Sequence, residues 1–434
     1  MRKYLKILGY LFFSFLFSYF LLVIVGTAFE RLPFTLSYKP KFSIVILATI
    51  CMTFLINRFD KILVDKKNVW KNVPICIIFI FIIFLPLIFI TSNTIDKNEN
   101  RNLAKFPSLF VKDKFNYNYF KEIDAYFSDH YGFRDMLIKN NSILNVNYLR
   151  TSSSNQVLLG SNGWLYYSSP TKGEDTISTY QHINLFTDEE LVTIKDNLLK
   201  QEAYCKQNDS KFLLVITPNK ETIYKENYPK GIAQTGDSSR TDQLAKYIQE
   251  NTDINFVYLK DKLLSSKSTS KYPLYLSTDT HWNRLGGFYG YEEIMKHLNL
   301  FYPNIKAFDL SDYTLKSTEI PGGDLAKMIN MQDYYKDTWY NLVNKNGNNY
   351  KYIVGTPNDF VCISQSEDKT LPTMVMFRDS FAKNLAPYLS NHFSKIDYEW
   401  SSFNKDIISK KKPNIVIYEL TERFSYTLLT DFTK

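Results

Sequence analysis

The sequence predicts an α/β fold: a mostly parallel sheet covered by helices, preceded by three transmembrane helices. Three observations predict it. Long uncharged runs of Phe, Ile and Leu are confined to the first 95 of 434 residues. Beyond them, short apolar runs of strand length alternate with helical segments, the pattern of a sheet covered on both faces. Unusual polar clusters follow the apolar runs, and open α/β sheets gather functional groups at the carboxyl ends of their strands.

The membrane region comes first in the chain. Residues 7–29 and 73–95 contain no charge, and each exceeds the roughly 20 apolar residues that a spanning helix needs. Residues 42–57 are also uncharged but fewer. Arg2, Lys3 and Lys6 precede the first run, and Arg58, Lys61, Lys66, Lys67 and Lys71 lie between the second and third. The loop between the first and second runs is less basic, with Arg31, Lys39 and Lys41. The positive-inside tendency then predicts a cytoplasmic N-terminus, three crossings and an extracytoplasmic C-terminal domain in a multi-pass cell-membrane protein. A cleaved signal peptide is the alternative for the first run, but the apolar stretch is long for an h-region. The expected organisation is a membrane region over 1–95, a polar linker over 96–114 and a globular domain over 115–434.

Composition narrows the function. The net charge of +8 arises largely beside the apolar runs, which reads as topology control and argues against nucleic-acid binding. Cys51, Cys76, Cys205 and Cys362 show no metal-ligand spacing, so neither a zinc site nor a disulfide framework is expected, and no cofactor motif is present. The 32 Tyr and 33 Phe suit both membrane interfaces and sugar-stacking surfaces, and so do not discriminate between them.

Within the globular part, Thr187 and Glu190 form a capping box ahead of a helix to about residue 207. Residues 212–216 form a buried strand stopped by Thr217-Pro218-Asn219. A helix near 242–249, a strand near 256–259 and a helix near 285–298 follow. Residues 374–377 make a strand broken by Arg378-Asp379-Ser380, with a helical stretch to about 389, and 414–418 make a last strand running into Glu419 to Arg423.

Four polar clusters are expected at strand ends: Thr217 to Lys220, Asp279 to His281, Arg378 to Ser380 and Glu419 to Arg423. A serine nucleophile needs a base within hydrogen-bond reach, and the base needs an orienting group. Ser380 sits at a strand-to-helix turn, where its hydroxyl can project and helix N–H groups can stabilise an oxyanion. The alternative is that Asp379 or Ser380 merely caps the helix. Among five histidines, His281 stands out because Asp279 is two residues away and can hold its tautomer. His297 and His392 read as ordinary surface or C-terminal-turn residues, and His130 lies in a string from Ser128 to Asp135 that reads either as rich in chemistry or as a turn with a buried ion pair. Asn219, Lys220, Arg378, Asp379 and Trp282 are further candidates for substrate or oxyanion contacts. Asp129, Arg134, Glu422 and Arg423 read mainly as structural ion pairs.

The string Leu276-Ser-Thr-Asp279-Thr-His281-Trp282-Asn283, followed by Phe377-Arg-Asp-Ser380-Phe381, resembles the SGNH-hydrolase-like domain of the alginate O-acetyltransferase (AlgX/AlgJ) family and the related DHHW proteins. Asp129 to Asp135, Gly163 to Tyr167, Thr217 to Lys220 and Glu419 to Arg423 fit the same pattern in family order, from about Phe115 to Arg423. Arg378 stands where the family commonly has glycine, and Thr280 where a D-H-H-W string has its second histidine.

The resemblance implies a triad of Ser380, His281 and Asp279 that transfers acetyl groups to exopolysaccharide hydroxyls. It also implies a membrane-bound O-acyltransferase partner as acyl donor. A carbohydrate acetylesterase with the same triad and a non-catalytic polysaccharide-binding or assembly protein are the competing expectations.

Overall fold

The structure, a computed structural model, describes residues 89–431 apart from 92, 97–100 and 113. Two compact units divide at residues 140 and 141. Among the described residues no helix is long and apolar enough to cross a membrane. The expected spans 7–29 and 42–57 lie outside the described residues, as does most of 73–95. The described end of that third run is not helical: Phe89 lies in a turn, and Ile95 begins a strand.

In the first unit, two short antiparallel pairs, Ile95–Asp96 with Arg101–Asn102 and Phe110–Val111 with Lys114–Phe115, occupy the stretch expected as a linker. Helix Tyr119–His130 follows, and helix Arg134–Leu144 begins beyond a three-residue turn. His130 is held by its own helix, with Nδ1 at 2.8 Å from the Tyr126 carbonyl and its ring stacked on Tyr126. Arg134 lies 3.7 Å from Asp135, which is largely exposed.

The second unit opens with a hairpin, β1 (Val157–Leu159) and β2 (Leu165–Tyr167), and helix α1 (Thr176–Gln181). Helix α2 (Asp188–Gln207) begins at the Thr187–Glu190 capping box, with both reciprocal bonds formed. Then come β3 (Lys211–Thr217), α3 (Lys220–Ile223), α4 (Arg240–Asn251), β4 (Phe256–Tyr258), α5 (Lys260–Thr269) and α6 (Arg284–Asn299). A long hairpin of β5 (Tyr313–Pro321) and β6 (Lys336–Asn344) encloses the short α7 (Asp324–Met328). The chain ends with β7 (Tyr350–Val354), β8 (Val361–Ser366), β9 (Thr373–Phe377), α8 (Ala386–Leu389), β10 (Lys395–Glu399), α9 (Lys405–Lys411) and β11 (Ile415–Thr421).

Seven strands form one sheet in the order β7-β8-β10-β9-β11-β3-β4. The five from β10 to β4 are parallel, and β8 and β7 add an antiparallel edge. The continuous apolar runs of β3, β9 and β11 follow from burial on both faces. Leu213, Val215, Met374, Met376, Ile415 and Ile417 enter one core with α6, whereas Leu214, Ile216, Val375, Phe377 and Val416 enter the opposite core with α2 and α4. Each such side chain contributes roughly 1.5–3 kcal/mol over exposure.

One expectation about placement fails. Asp279-Thr280-His281 does not follow a sheet strand. It lies in the loop between α5 and α6, which folds back on itself through a bridge between Tyr275 and Trp282. Strands β1, β2, β5 to β8 and β10 are also additions to the sequence reading.

Candidate active site

The carboxyl ends of three adjacent strands, β3, β11 and β9, supply the floor of the site. β9 stops at Phe377, and a 3-10 turn begins at Phe381. Asp379 and Ser380 divide the two roles open to them. Asp379 is the cap: its Oδ1 accepts the Phe381 N–H at 2.8 Å. Its Oδ2 accepts the Thr421 N–H at 2.7 Å and the Thr421 hydroxyl, joining the end of β9 to the end of β11. Ser380 is then free to turn its hydroxyl elsewhere, and Oγ lies 2.7 Å from His281 Nε2.

His281 Nδ1 lies 2.6 Å from Asp279 Oδ1, which also accepts the His281 backbone N–H at 2.9 Å. Burial opposes the Asp279 charge, but the hydrogen bond and charge of His281 outweigh it and hold this carboxyl well below its usual range. An ionised Asp279 fixes the proton on Nδ1, which leaves Nε2 as the acceptor for the serine hydroxyl. The imidazole is buried, while Ser380 is only partly so.

The loop carrying Asp279 and His281 is tied down on every side. The Lys220 ammonium donates to the carbonyls of Leu276, Ser277 and Asp279 at 3.2, 3.0 and 2.7 Å. Asp337 of β6 accepts the backbone N–H and hydroxyl of both Ser277 and Thr278. Asp324 accepts from the Thr280 N–H at 2.7 Å and hydroxyl at 2.6 Å, and its own N–H donates to Asp279 Oδ2 at 3.1 Å. Gly323 permits that approach, because a Cβ there would lie 2.3 Å from the Asp279 Cβ. Trp282 Nε1 donates to the Phe381 carbonyl at 2.9 Å, locking the histidine loop onto the serine turn.

These contacts reassign several sequence candidates. Trp282 is fully buried and bonded to the Phe381 backbone, so it is a packing and registering residue with no face for substrate. Lys220 is 2 % exposed with all three protons committed, and burial lowers its pKa to about 8. Arg378 turns away: its guanidinium donates to the carbonyls of Asp359 and Asp379 and stacks over Trp400. Asp379 caps, as described.

Glu422 accepts the Asn219 N–H at 2.9 Å and the Thr222 hydroxyl at 2.6 Å. Arg423 reaches Asn219 Oδ1 at 3.5 Å and lies against Phe381, so its pairing is with an amide and rings. Buried Glu419, bonded to the Asp379 N–H and the Thr217 hydroxyl, has its carboxyl pushed well above the usual range by burial and then by Asp379.

The other histidines have structural partners. His392 ends the 3-10 turn Ser390–His392 and is buried, not on the surface, with the Tyr291 hydroxyl at 2.7 Å and its pKa lowered to about 4 by burial. His297 meets Asn255 Oδ1, and His182 meets the Gly236 carbonyl.

Asp324 and Asp337 carry no signal in the sequence beyond being acidic. The Gly322-Gly323 pair beside Asp324 is the one local clue. Ligand atoms of Asp279, His281 and Asp324 lie within 4.8 Å of one another. Nδ1 and Oδ1 are already bonded to each other there, so a cation would have to break the relay to bind.

Residues 157–354 match the family model described as SGNH hydrolase-like domain, acetyltransferase AlgX. The resemblance read from the sequence therefore holds over that span, which includes Asp279 and His281 and stops before Ser380. Bacillus cereus PatB1 aligns at 15% identity over 64% of this chain and 98% of that one, with a TM-score of 0.47. A DHHW family protein from Eubacterium siraeum gives 14%, 63%, 97% and 0.44. The O-acetyltransferase domain of Pseudomonas putida AlgJ gives 16%, 63%, 92% and 0.41. No curated protein matches the chain.

Proposed function

We propose, from an SGNH hydrolase-like domain of the AlgX acetyltransferase type, that this chain is an O-acetyltransferase that passes an acetyl group through Ser380 to a hydroxyl of a cell-surface or secreted polysaccharide. One observation carries the reading: Asp279, His281 and Ser380 lie in one hydrogen-bonded chain with links of 2.6 and 2.7 Å. A serine hydroxyl is a poor nucleophile until a neighbouring base can take its proton, and this arrangement supplies the base and its orienting carboxylate together.

The roles follow. His281 Nε2 takes the Ser380 proton as Oγ attacks the acetyl carbonyl of the donor. The donor's leaving oxygen departs with the proton that His281 returns, and acetyl remains on Oγ. A sugar hydroxyl then gives its proton to His281 and attacks the acetyl-serine. Collapse of that adduct returns the proton to Ser380 and releases the ester. Backbone N–H groups beside Ser380, other than that of Phe381, which Asp379 already takes, would donate to the oxyanion. Asp279 keeps the ring in the productive tautomer and stabilises its protonated form.

The apolar runs and their flanking basic residues support an extracytoplasmic site on a membrane-embedded chain. Acetyl delivery by a membrane-bound O-acyltransferase is the partner relation consistent with that topology.

The test uses the purified full-length protein with an acetyl-ester reporter. Wild type should release the chromophore and carry acetyl on the peptide containing Ser380. Ser380→Ala should lower turnover by about 10³-fold or more. Turnover unchanged in Ser380→Ala would end the catalytic reading. Mass spectrometry of an added oligosaccharide then separates transfer from hydrolysis: acetylated sugar supports a transferase, and free acetate alone an esterase.

A further inference from the structure

Ten of the 26 exposed large apolar side chains among the described residues lie in the first unit, between residues 89 and 140. Scattered exposed apolar residues are ordinary, but clustered ones mark a surface that something covers. Five of the ten fall within residues 110–120, on and beside the hairpin of Phe110–Val111 with Lys114–Phe115. Phe110 and Phe115 stand opposite each other in register with ring centroids 6.3 Å apart, and Tyr117 adds a third ring 5.8 Å from Phe115. Phe110, Val111 and Tyr117 are 58, 54 and 90 % exposed.

Polar bonds fix the base of this hairpin. The Asn116 N–H donates to the Leu109 carbonyl at 2.9 Å, and its side-chain amide donates to the Ser108 carbonyl at 3.1 Å and to Glu122 Oε2 at 2.9 Å. Among the described residues none of the three rings belongs to a buried core, so internal packing does not account for their apolar character.

Charge and chain connectivity select the occupant. Lys112 and Lys114 stand exposed on the same hairpin, and residues 105–121 hold four lysines against one acidic residue. Protein interfaces are depleted of lysine. The boundary layer of a bilayer accepts both groups: rings lie at headgroup level, lysine stems run along apolar surface, and the ammonium groups meet anionic lipid phosphates. The uncharged run 73–95 ends at Ile95, and the Thr94 carbonyl accepts the Leu103 N–H at 2.9 Å, which turns the chain back towards that end. Phe110 comes seven residues after Leu103, so it lies within roughly 30 Å of the end of the run.

We infer that the Phe110–Phe115 hairpin docks on the surface of the anionic phospholipid bilayer that the preceding run enters. Phe110, Val111 and Phe115 sit among the headgroups, and Lys112 and Lys114 meet lipid phosphates. The inference rests on the membrane-embedded reading above.

The test uses the full-length protein in vesicles of phosphatidylcholine with phosphatidylglycerol, prepared with and without brominated acyl chains. Phe110→Trp adds one indole to the wild-type emission, and Leu300→Trp, at a position 74 % exposed in the second unit, supplies the solvent reference. Bromine should quench the emission added at residue 110 by about half and leave that at residue 300 nearly unchanged. Lys112→Glu with Lys114→Glu in the Phe110→Trp background should remove most of that quenching. Unquenched emission at residue 110, equal quenching at both positions, or quenching untouched by the two charge reversals overturns the inference. So does a blue shift at residue 110 that grows with protein density and ignores bromine, which would seat a second copy on the hairpin. A chain that does not float with the vesicles overturns the membrane reading and the inference together; a chain that floats with residue 110 unquenched overturns the inference alone.

Discussion

At the scale of residues, two carboxyls, the half-buried Asp279 and the buried Glu221, pull the protein's pH response in opposite directions. Asp279 is held below its ordinary range, chiefly because His281 outweighs the burial cost. A depressed carboxyl contributes stability that is complete above its unfolded value of ~3.9 and is lost as pH falls towards the folded one. Asp279→Asn should therefore flatten acid unfolding below about pH 4, and it should cut reporter turnover by ~10²–10⁴-fold because the tautomer is no longer fixed.

Glu221 is pushed from 4.5 up to about 7 by burial, with Glu422 adding to it. A raised carboxyl costs stability as pH climbs from the unfolded value through the folded one. Thermal melts should show Glu221→Gln more stable than wild type above about pH 7, by roughly 3 kcal/mol at most, with the two converging near pH 4. Equal melting curves at pH 8 would remove the premise. The juxtaposition of Asp279, His281 and Ser380 was legible because their chemistry is unusual for their spacing: one Asp-x-His string and one Asp-Ser at a strand end. Lys220 and Trp282 were misread because a polar or aromatic residue in a motif looks the same in sequence whether it faces substrate or props up the loop that does.

At the scale of elements, the loop carrying Asp279 and His281 is held by groups outside it, Lys220 at the head of α3 among them. Lys220→Met keeps the aliphatic volume but strips the carbonyls of Leu276, Ser277 and Asp279 of their donor. Each unsatisfied carbonyl costs about 1–3 kcal/mol before water relieves it, so a net loss of a few kcal/mol in urea unfolding is expected. As Lys220 positions His281 without touching the reacting atoms, kcat should fall about tenfold or more while KM moves little. Wild-type kcat in a folded Lys220→Met would show that the loop needs no such anchor.

The elements that were legible share one property: apolar faces on both sides, as in β3, β9 and β11, or a capping box, as in α2. β10 was hidden because Asp397 interrupts it, and only the fold reveals that Lys411 and Lys395 neutralise that buried carboxylate at 2.6 and 3.2 Å. The β5–β6 hairpin was hidden because its strands are mostly half-exposed and polar, as in the run Lys316-Ser317-Thr318-Glu319.

At the scale of the whole molecule, the proposed extracytoplasmic placement of the Ser380 site rests on charge. The basic residues before the first apolar run and between the second and third outnumber those between the first and second. With an odd number of crossings, that asymmetry sends the globular region outward. An impermeant thiol reagent can read the outcome. Cys205 and Cys362 are buried, and burial raises both thiols above their ordinary pKa, which suppresses their reaction. Asn346 lies in the exposed turn after β6, so Asn346→Cys adds one accessible thiol there. Intact cells carrying Asn346→Cys should label at that position, and permeabilisation should add little. Labelling only after permeabilisation would place the domain in the cytosol. A polysaccharide outside the cell could then no longer be its acceptor, whatever the geometry at Ser380.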